Sequence, residues 1–399
     1  MNPLPAFSTS AIPALIVGPG TRSQLPGLIA QLGQRALIIT GRQAFVSTPA
    51  WSALTEALAA QNIQWHHETV SGEPTPQQVD ALVAQFQHAQ IDVVVGIGGG
   101  SPMDAAKAVA GLLRTGHSIM DYLEGVGAGF TYVGPAVPMI AVPTTAGTGS
   151  EATRNAVITQ PGPEGFKKSF RDAQLVPKVA LVDSELLHSC PPAQLAANTM
   201  DAFTQLLEAY TASKASPFTD ALAWSGLVAW QEGIKPAWST LGSAQPQGLD
   251  RLAYASLLSG ITLAQAGLGA VHGLASPLGA YFPIPHGVVC GTLVATTTAV
   301  NIRALKHRAP EHLALKKYAE VGRLLTQDQK LSAAAAQQAL IDMLQQWVQT
   351  LGIGTLSEYG IRAEDFTKIV ANARGGSMQT NPVELTDVEL TEILADRLG

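Results

Sequence analysis

The chain has 399 residues and a net charge of −6, with 46% apolar residues against only 14% charged ones. That composition fits well-buried globular domains, two rather than one at this length, and excludes a disordered chain. The acidic balance excludes an electrostatic footprint for nucleic acid or an anionic membrane, and two cysteines, Cys190 and Cys290, exclude a disulfide framework or a zinc ribbon.

The first segment, MNPLPAFSTSAIPALIVG, lacks the basic stretch of a signal peptide. Apolar runs are broken by Gly and Pro before reaching the roughly 18 residues of a spanning helix. A cytoplasmic protein with no membrane partner is therefore expected. Up to about residue 190, short β-branched runs predict strands: RALIIT (35–40), IQWHHETV (63–70), IDVVVGIG (91–98), PMIAVPTT (138–145) and KVALVD (178–183). Between them, WSALTEALAAQ, PTPQQVDALVAQFQHA and PMDAAKAVAGLLR carry helical periodicity. Strands alternating with helices predict a largely parallel sheet with crossovers. After Cys190-Pro191-Pro192 the strand signal fades and Ala/Leu-rich helical segments follow: 193–213, 216–232, 249–267, 310–325 and 331–350. The expected domains are 1–190, α/β and nucleotide-binding, and 191–399, all-helical.

IDVVVGIGGGSPMDAAKAVAGLL (91–113) reads as a buried strand, a glycine turn and a helix. Ser101 fits the N-cap, Pro102 the first helical position and Asp104 the third, a capping-box variant. Gly98, Gly99 and Gly100 let backbone amides approach an anion at a helix N-terminus, which makes a pyrophosphate cradle. A tight turn needing glycine for geometry alone is the competing reading. A second small-residue loop, VPTTAGTGSEATR (142–154), offers Thr144, Thr145, Thr148 and Ser150 after the next strand. Two such loops at the carboxyl ends of adjacent strands form the place where an open α/β sheet binds a nucleotide.

In MDAFTQLLEAY (200–210), Asp201 and Gln205 share one helix face by their i,i+4 spacing. In VHGLASPLGAYFPIPHG (271–287), His272 and His286 stand among apolar, Gly and Pro residues. A buried carboxylate needs a cation or several donors, and two imidazoles with a carboxylate make a divalent-metal set. The competing reading of Asp201 is a charge complementing the helix dipole. Cys290, four residues after His286, reads as a buried structural thiol, with a place lining the cleft as the competing reading, and His66-His67 as solvated or cross-strand partners.

Together GGGSPMDAAK (98–107), PTTAGTGSE (143–151), DAFTQLLEAY, HGLASPLGAYFPIPHG and TNPVELTDVEL (380–390) resemble the iron-containing (group III) alcohol dehydrogenase family, nearly end to end. The resemblance implies the dehydroquinate synthase-like fold: a Rossmann-like α/β N-terminal domain, an all-α C-terminal domain and a cleft between them. It implies hydride transfer between a small or medium alcohol or aldehyde and NAD(P)(H), beside a divalent metal, Fe2+ or Zn2+. The implied ligands are Asp201, His272 and His286, with Gln205 standing where the family usually has histidine. Ser276 stands where the family commonly has a second histidine near the nicotinamide.

The two small-residue loops and Lys167 match cofactor contacts. Gly41-Arg42 replaces the aspartate that NAD-preferring members carry after the strand, so NADP(H) is slightly favoured. The apolar surroundings of Leu274, Leu278 and Phe282 imply an uncharged substrate, and the family implies a homodimer. The alternatives are a metal-poor or non-catalytic relative, because of Gln205 and Ser276, and a dehydroquinate synthase-type lyase. The lyase would need Lys and Arg around the metal, of which the sequence near Asp201 and His272 shows almost none.

Overall fold

The computed structural model describes residues 5–241, 243 and 246–399. The first half alternates strand and helix: β1 (Ala14–Val17), α1 (Leu25–Leu32), β2 (Arg35–Gly41), α2 (Pro49–Ala60), β3 (Gln64–Val70), α3 (Pro76–Phe86), β4 (Val93–Gly98), α4 (Gly100–Leu112), β5 (Met139–Pro143), β6 (Asn155–Gln160), β7 (Phe166–Arg171) and β8 (Val179–Val182). Six of these strands form one sheet in the order β1-β8-β5-β4-β2-β3, with every pairing parallel. β4 is buried along its whole length, as its run of Val and Ile requires of a central strand covered on both faces. One face packs on α3 and α4 through Val79, Val83 and Val109, the other on α1 and α2 through Ile29 and Leu58.

Three strands escape the periodicity argument. β1 is only four residues long, and β6 and β7 form an antiparallel ribbon outside the main sheet. β7 carries Lys167, Lys168 and Arg171, and β6 has only the three-residue apolar run 156–158 between polar residues, too short to mark a strand. His66 and His67 sit on the edge strand β3. The His67 ring packs on Trp51 and its Nε2 lies 2.9 Å from Thr40 Oγ1, while His66 packs on Phe86.

From Pro192 onward the chain is helical: α5 (Pro192–Thr211), α6 (Pro217–Ser239), α7 (Leu249–Ala266), α8 (Ala270–Tyr281), α9 (His286–Arg308), α10 (Leu313–Thr326), α11 (Ala333–Thr350), α12 (Phe366–Asn372) and α13 (Asp387–Asp396). Their core is built around Phe203, Trp230, Leu293 and Leu344, all buried. α8 and α9 were not expected, because Pro277 lies inside α8 and the glycines at 273, 279, 287 and 291 weaken helical propensity. Packing overrides propensity here. α9 is long and apolar enough to cross a membrane by composition, with a mean hydropathy of 1.4, yet 78% of its apolar window is buried within the protein.

Gly287 and Gly291 explain how α9 comes so close to α5. A Cβ on Gly287 would stand 2.5 Å from the Ala197 carbonyl oxygen, and one on Gly291 would stand 3.2 Å from Met200 Cβ. The small face of α9 thus lies directly against the turn that precedes Asp201.

Candidate active site

The loops after β4 and β5 lie side by side, because Gly98 registers with Pro143 and the Thr144 N–H donates to the Gly98 carbonyl at 2.9 Å. They are in contact. A Cβ on Gly99 would stand 3.3 Å from Thr145, and one on Gly100 would stand 2.9 Å from Thr148 Cγ2. Gly98 has φ +152°, and a Cβ there would meet Pro102 at 2.7 Å, so only glycine fits. α4 begins at Gly100 with Gly99 as N-cap, two residues before the start that the Ser101–Asp104 pattern predicts. No side chain caps it, which leaves first-turn N–H groups free for an anion.

Asp104 has a different task. Its carboxylate accepts the Ser150 hydroxyl at 2.6 Å and lies 3.6 Å from Lys107 Nζ. Lys107, wholly buried, donates to Ser150 Oγ and Thr153 Oγ1, both at 2.7 Å, and to the Asn155 carbonyl at 2.9 Å. This buried lysine ties α4 to the second loop. It lies inside GGGSPMDAAK, although the sequence reading passed over it.

These loops form one wall of a cavity of about 760 Å³ that runs to the helices. Gly41, Gly98, Gly99, Gly100, Ser101, Asp104, Thr144, Thr145, Thr148, Ser150 and Lys167 all line it. Arg42, by contrast, is exposed at the end of β2 and does not line it. Lys167 pairs with Glu73, and its backbone carbonyl accepts the Ser276 hydroxyl at 3.2 Å. The fold also brings Arg154, Arg171 and Lys214 to the wall, more cations than the neighbourhoods of Asp201 and His272 in sequence imply. Leu274 and Leu278 are buried in the helical core and, like Phe282, do not line the cavity; Leu263, Ala264 and Leu268 do.

At the far end, α5, α8 and α9 converge. One donor atom from each of Asp201, His272, His286 and Cys290 lies within 4.8 Å of every other. His272 Nε2 is 3.3 Å and His286 Nε2 is 3.8 Å from Asp201 Oδ1. Cys290 Sγ stands 3.6 Å from His272 Nε2 and 3.8 Å from His286 Nε2. Gln205 lines the cavity one turn along α5, and its Oε1 accepts the Ser259 hydroxyl at 2.7 Å.

Glu208 holds His272 from behind. Its Oε2 lies 2.6 Å from His272 Nδ1, and its Oε1 accepts the Val271 N–H at 2.7 Å. With Nδ1–H donated to the carboxylate, Nε2 presents its lone pair to the cluster, as metal-ligating histidines do. Glu208 was legible as the residue three beyond Gln205 on one helix stripe. Asn381, inside TNPVELTDVEL, accepts the Ala270 N–H at 3.1 Å and so anchors the start of α8.

The electrostatics fit a cation. Burial alone would push the Asp201 carboxyl up, but His286 and His272 outweigh it and leave it at about 2, ionised. Burial pushes His286 down to about 4, so its ring is neutral. Burial pushes the Cys290 thiol up to about 12. His272 resists its own burial through the carboxylates around it, Glu208 and Asp201, and sits well above the usual imidazole value. A divalent cation would displace that proton and ionise the thiol.

Two family models cover nearly the whole chain. "Iron-containing alcohol dehydrogenase" matches residues 13–184, and "Fe-containing alcohol dehydrogenase family, C-terminal" matches residues 195–398. The chain belongs to the iron-containing alcohol dehydrogenase family. An NAD-dependent methanol dehydrogenase of Bacillus methanolicus is 31% identical over 97% of this chain and 98% of its own. A lactaldehyde reductase of Escherichia coli is 30% identical over 90% and 91%. The crystal structure of a 1,3-propanediol oxidoreductase superposes with a TM-score of 0.88 at 28% identity, covering 98% of this chain and all of that one. This family member is an alcohol/aldehyde oxidoreductase with the parallel-sheet and helical architecture described above.

Proposed function

We propose that the protein reduces a small or medium aldehyde, reversibly, with NADP(H) slightly favoured over NAD(H). A divalent cation, Fe2+ or Zn2+, would be held by Asp201, His272 and His286, with Gln205 as a candidate fourth ligand. The observation that carries this reading is the convergence of the Asp201, His272 and His286 donors at the end of the cavity that begins at the glycine loop. When bound, the cation supplies Lewis acidity toward the substrate oxygen and the nicotinamide carries the hydride.

The chain's own residues supply position and charge. Gly98, Gly99 and Gly100, with the uncapped start of α4, offer N–H groups to the pyrophosphate, and Thr144, Thr145, Thr148 and Ser150 offer hydroxyls beside it. Ser101 and Asp104 lie at the same helix start, and Lys167 adds a cation paired with Glu73. Ser276 commits its proton to the Lys167 carbonyl, so its lone pairs are free to accept from substrate or water. Near neutral pH it is no base, and proton exchange goes to solvent.

The preference for NADP(H) is supported by the lack of a carboxylate at Gly41, with Arg42 exposed next to it, rather than by any direct contact from Arg42. The cations of the cavity wall suit cofactor phosphates, which removes the need for a phosphorylated substrate. The uncharged-substrate reading is supported by Leu263, Ala264 and Leu268 in the wall. A domain division at 190/191 and a cytoplasmic homodimer complete the proposal. Leu15 and Val17, exposed on the edge strand β1, offer a surface for a second copy.

Metal analysis of the purified protein, joined to an NADPH- and NADH-oxidation assay over a panel of uncharged aldehydes, tests the reading. Stoichiometric metal with aldehyde-dependent oxidation is expected. Nucleotide binding without metal or turnover would establish a non-catalytic relative instead.

A further inference from the structure

The proposed metal reading leaves an anomaly at its fourth position. Gln205 offers only a weak amide oxygen, and that oxygen already accepts the Ser259 hydroxyl at 2.7 Å. The structure places a different donor at the cluster. Cys290 lies four residues beyond His286, on the same face of α9, and is wholly buried. Gly287 and Gly291, on either side of it, hold α9 against α5, where Asp201 sits.

The distances discriminate between a chance neighbour and a ligand set. A tetrahedral ion with bonds of about 2.0–2.2 Å to nitrogen and oxygen and about 2.3 Å to sulfur sets its donors about 3.3–3.6 Å apart. Four of the spacings here are 3.3 Å from Asp201 to His272, 3.6 Å from His272 to Cys290, and 3.8 Å from His286 to both Cys290 and Asp201, and every spacing in the set lies within 4.8 Å. A structural thiol buried for packing alone would meet apolar neighbours; this one meets two imidazole nitrogens.

We infer that Cys290 is the fourth protein ligand, bound as thiolate, and that this cluster is an Asp-His-His-Cys site selecting zinc over iron. A soft sulfur donor favours Zn2+ over Fe2+, and Zn2+ also stands above Fe2+ in intrinsic affinity for such sites. Four protein donors still admit a substrate oxygen if coordination expands to five, as catalytic zinc sites allow. The inference rests on the proposed metal site, and the experiment separates the two.

The test is reconstitution of the full-length metal-free protein with one equivalent of Co2+, and separately of Zn2+. The expected result is stoichiometric Co2+ with a thiolate-to-cobalt charge-transfer band in the near ultraviolet. That band should vanish in Cys290→Ser and persist in Cys190→Ser, since Cys190 also lines the cavity. Cys290→Ser should hold Zn2+ at least ~10-fold more weakly, the lower end of the loss seen when only an outer partner is removed. X-ray absorption at the zinc edge of the unmutated protein should find one sulfur at about 2.3 Å, and this needs no variant to fold. Stoichiometric cobalt without the band, with only nitrogen and oxygen around zinc, would overturn the role of Cys290 and leave the metal site standing. Failure of the unmutated protein to bind either ion would overturn the metal site itself and the inference with it.

Discussion

Glu208 Oε2 lies 2.6 Å from His272 Nδ1, while its other oxygen accepts the N–H of Val271, the residue just before that histidine. One carboxylate thus fixes both the ring and the backbone of α8 at the cluster. Glu208→Gln removes the charge and keeps the shape. Metal affinity should fall ~10–100-fold, the usual loss for an outer partner of a ligating histidine. Competition titration against a chelator measures this; affinity within twofold of the parent would refute the role.

His272→Ala removes a direct donor. Turnover should drop by at least ~100-fold, because losing a ligand exceeds losing its outer partner. Nucleotide binding, proposed at the glycine loop, should survive. Steady-state kinetics with a fluorescence titration of NADPH decide the matter, and undiminished kcat would remove His272 from the site.

Gly41→Asp tests the cofactor proposal. The position tolerates a side chain, since a Cβ there would meet only Pro102 Cγ at 3.8 Å. The new carboxylate should repel a 2′-phosphate and lower the NADPH-to-NADH ratio of kcat/KM by about tenfold, or about 1.4 kcal/mol. An unaltered ratio would show that the end of β2 does not meet the adenosine ribose.

Glu151 predicts a pH dependence of stability. It is 1% exposed, its Oε1 has no hydrogen-bond partner among the described residues, and burial pushes its carboxyl up from 4.5 to about 7. A folded-state pKa above the unfolded one means the contribution is full below pH 4.5 and is lost as pH rises through 7. The loss is at most about 3 kcal/mol. Glu151→Gln should therefore be more stable than the parent above about pH 7, with the difference shrinking toward pH 5. Urea unfolding across that range gives the answer; parallel curves for the two proteins would show that Glu151 is not held neutral.

Much of this molecule was legible along the chain. β2, β4 and β5 follow from short continuous apolar, β-branched runs, and the turn into α4 from glycine chemistry, both of which involve residues a few positions apart. So does the i,i+4 pairing of Asp201 with Gln205. The family relationship was legible in those same motifs, because each preserves a local geometry the fold requires.

What tertiary structure alone decided is which side chains meet. Pro277 and the glycines of α8 and α9 argue against helix in isolation, and only burial makes those helices form, α9 against α5 and α8 against α9, α12 and β7. The glycines that weaken α9 are also what let it approach α5. That approach brings His286 and Cys290 to Asp201, the packing of α8 on α9 adds His272, and the packing of α7 on α5 sets Ser259 against Gln205. Start positions follow the same rule: α4 begins at Gly100 with no side-chain cap, where the Ser101–Asp104 pattern predicts one. Spacing along a chain fixes which residues share a face of one helix. The distance between faces of different helices depends on how closely their backbones pack.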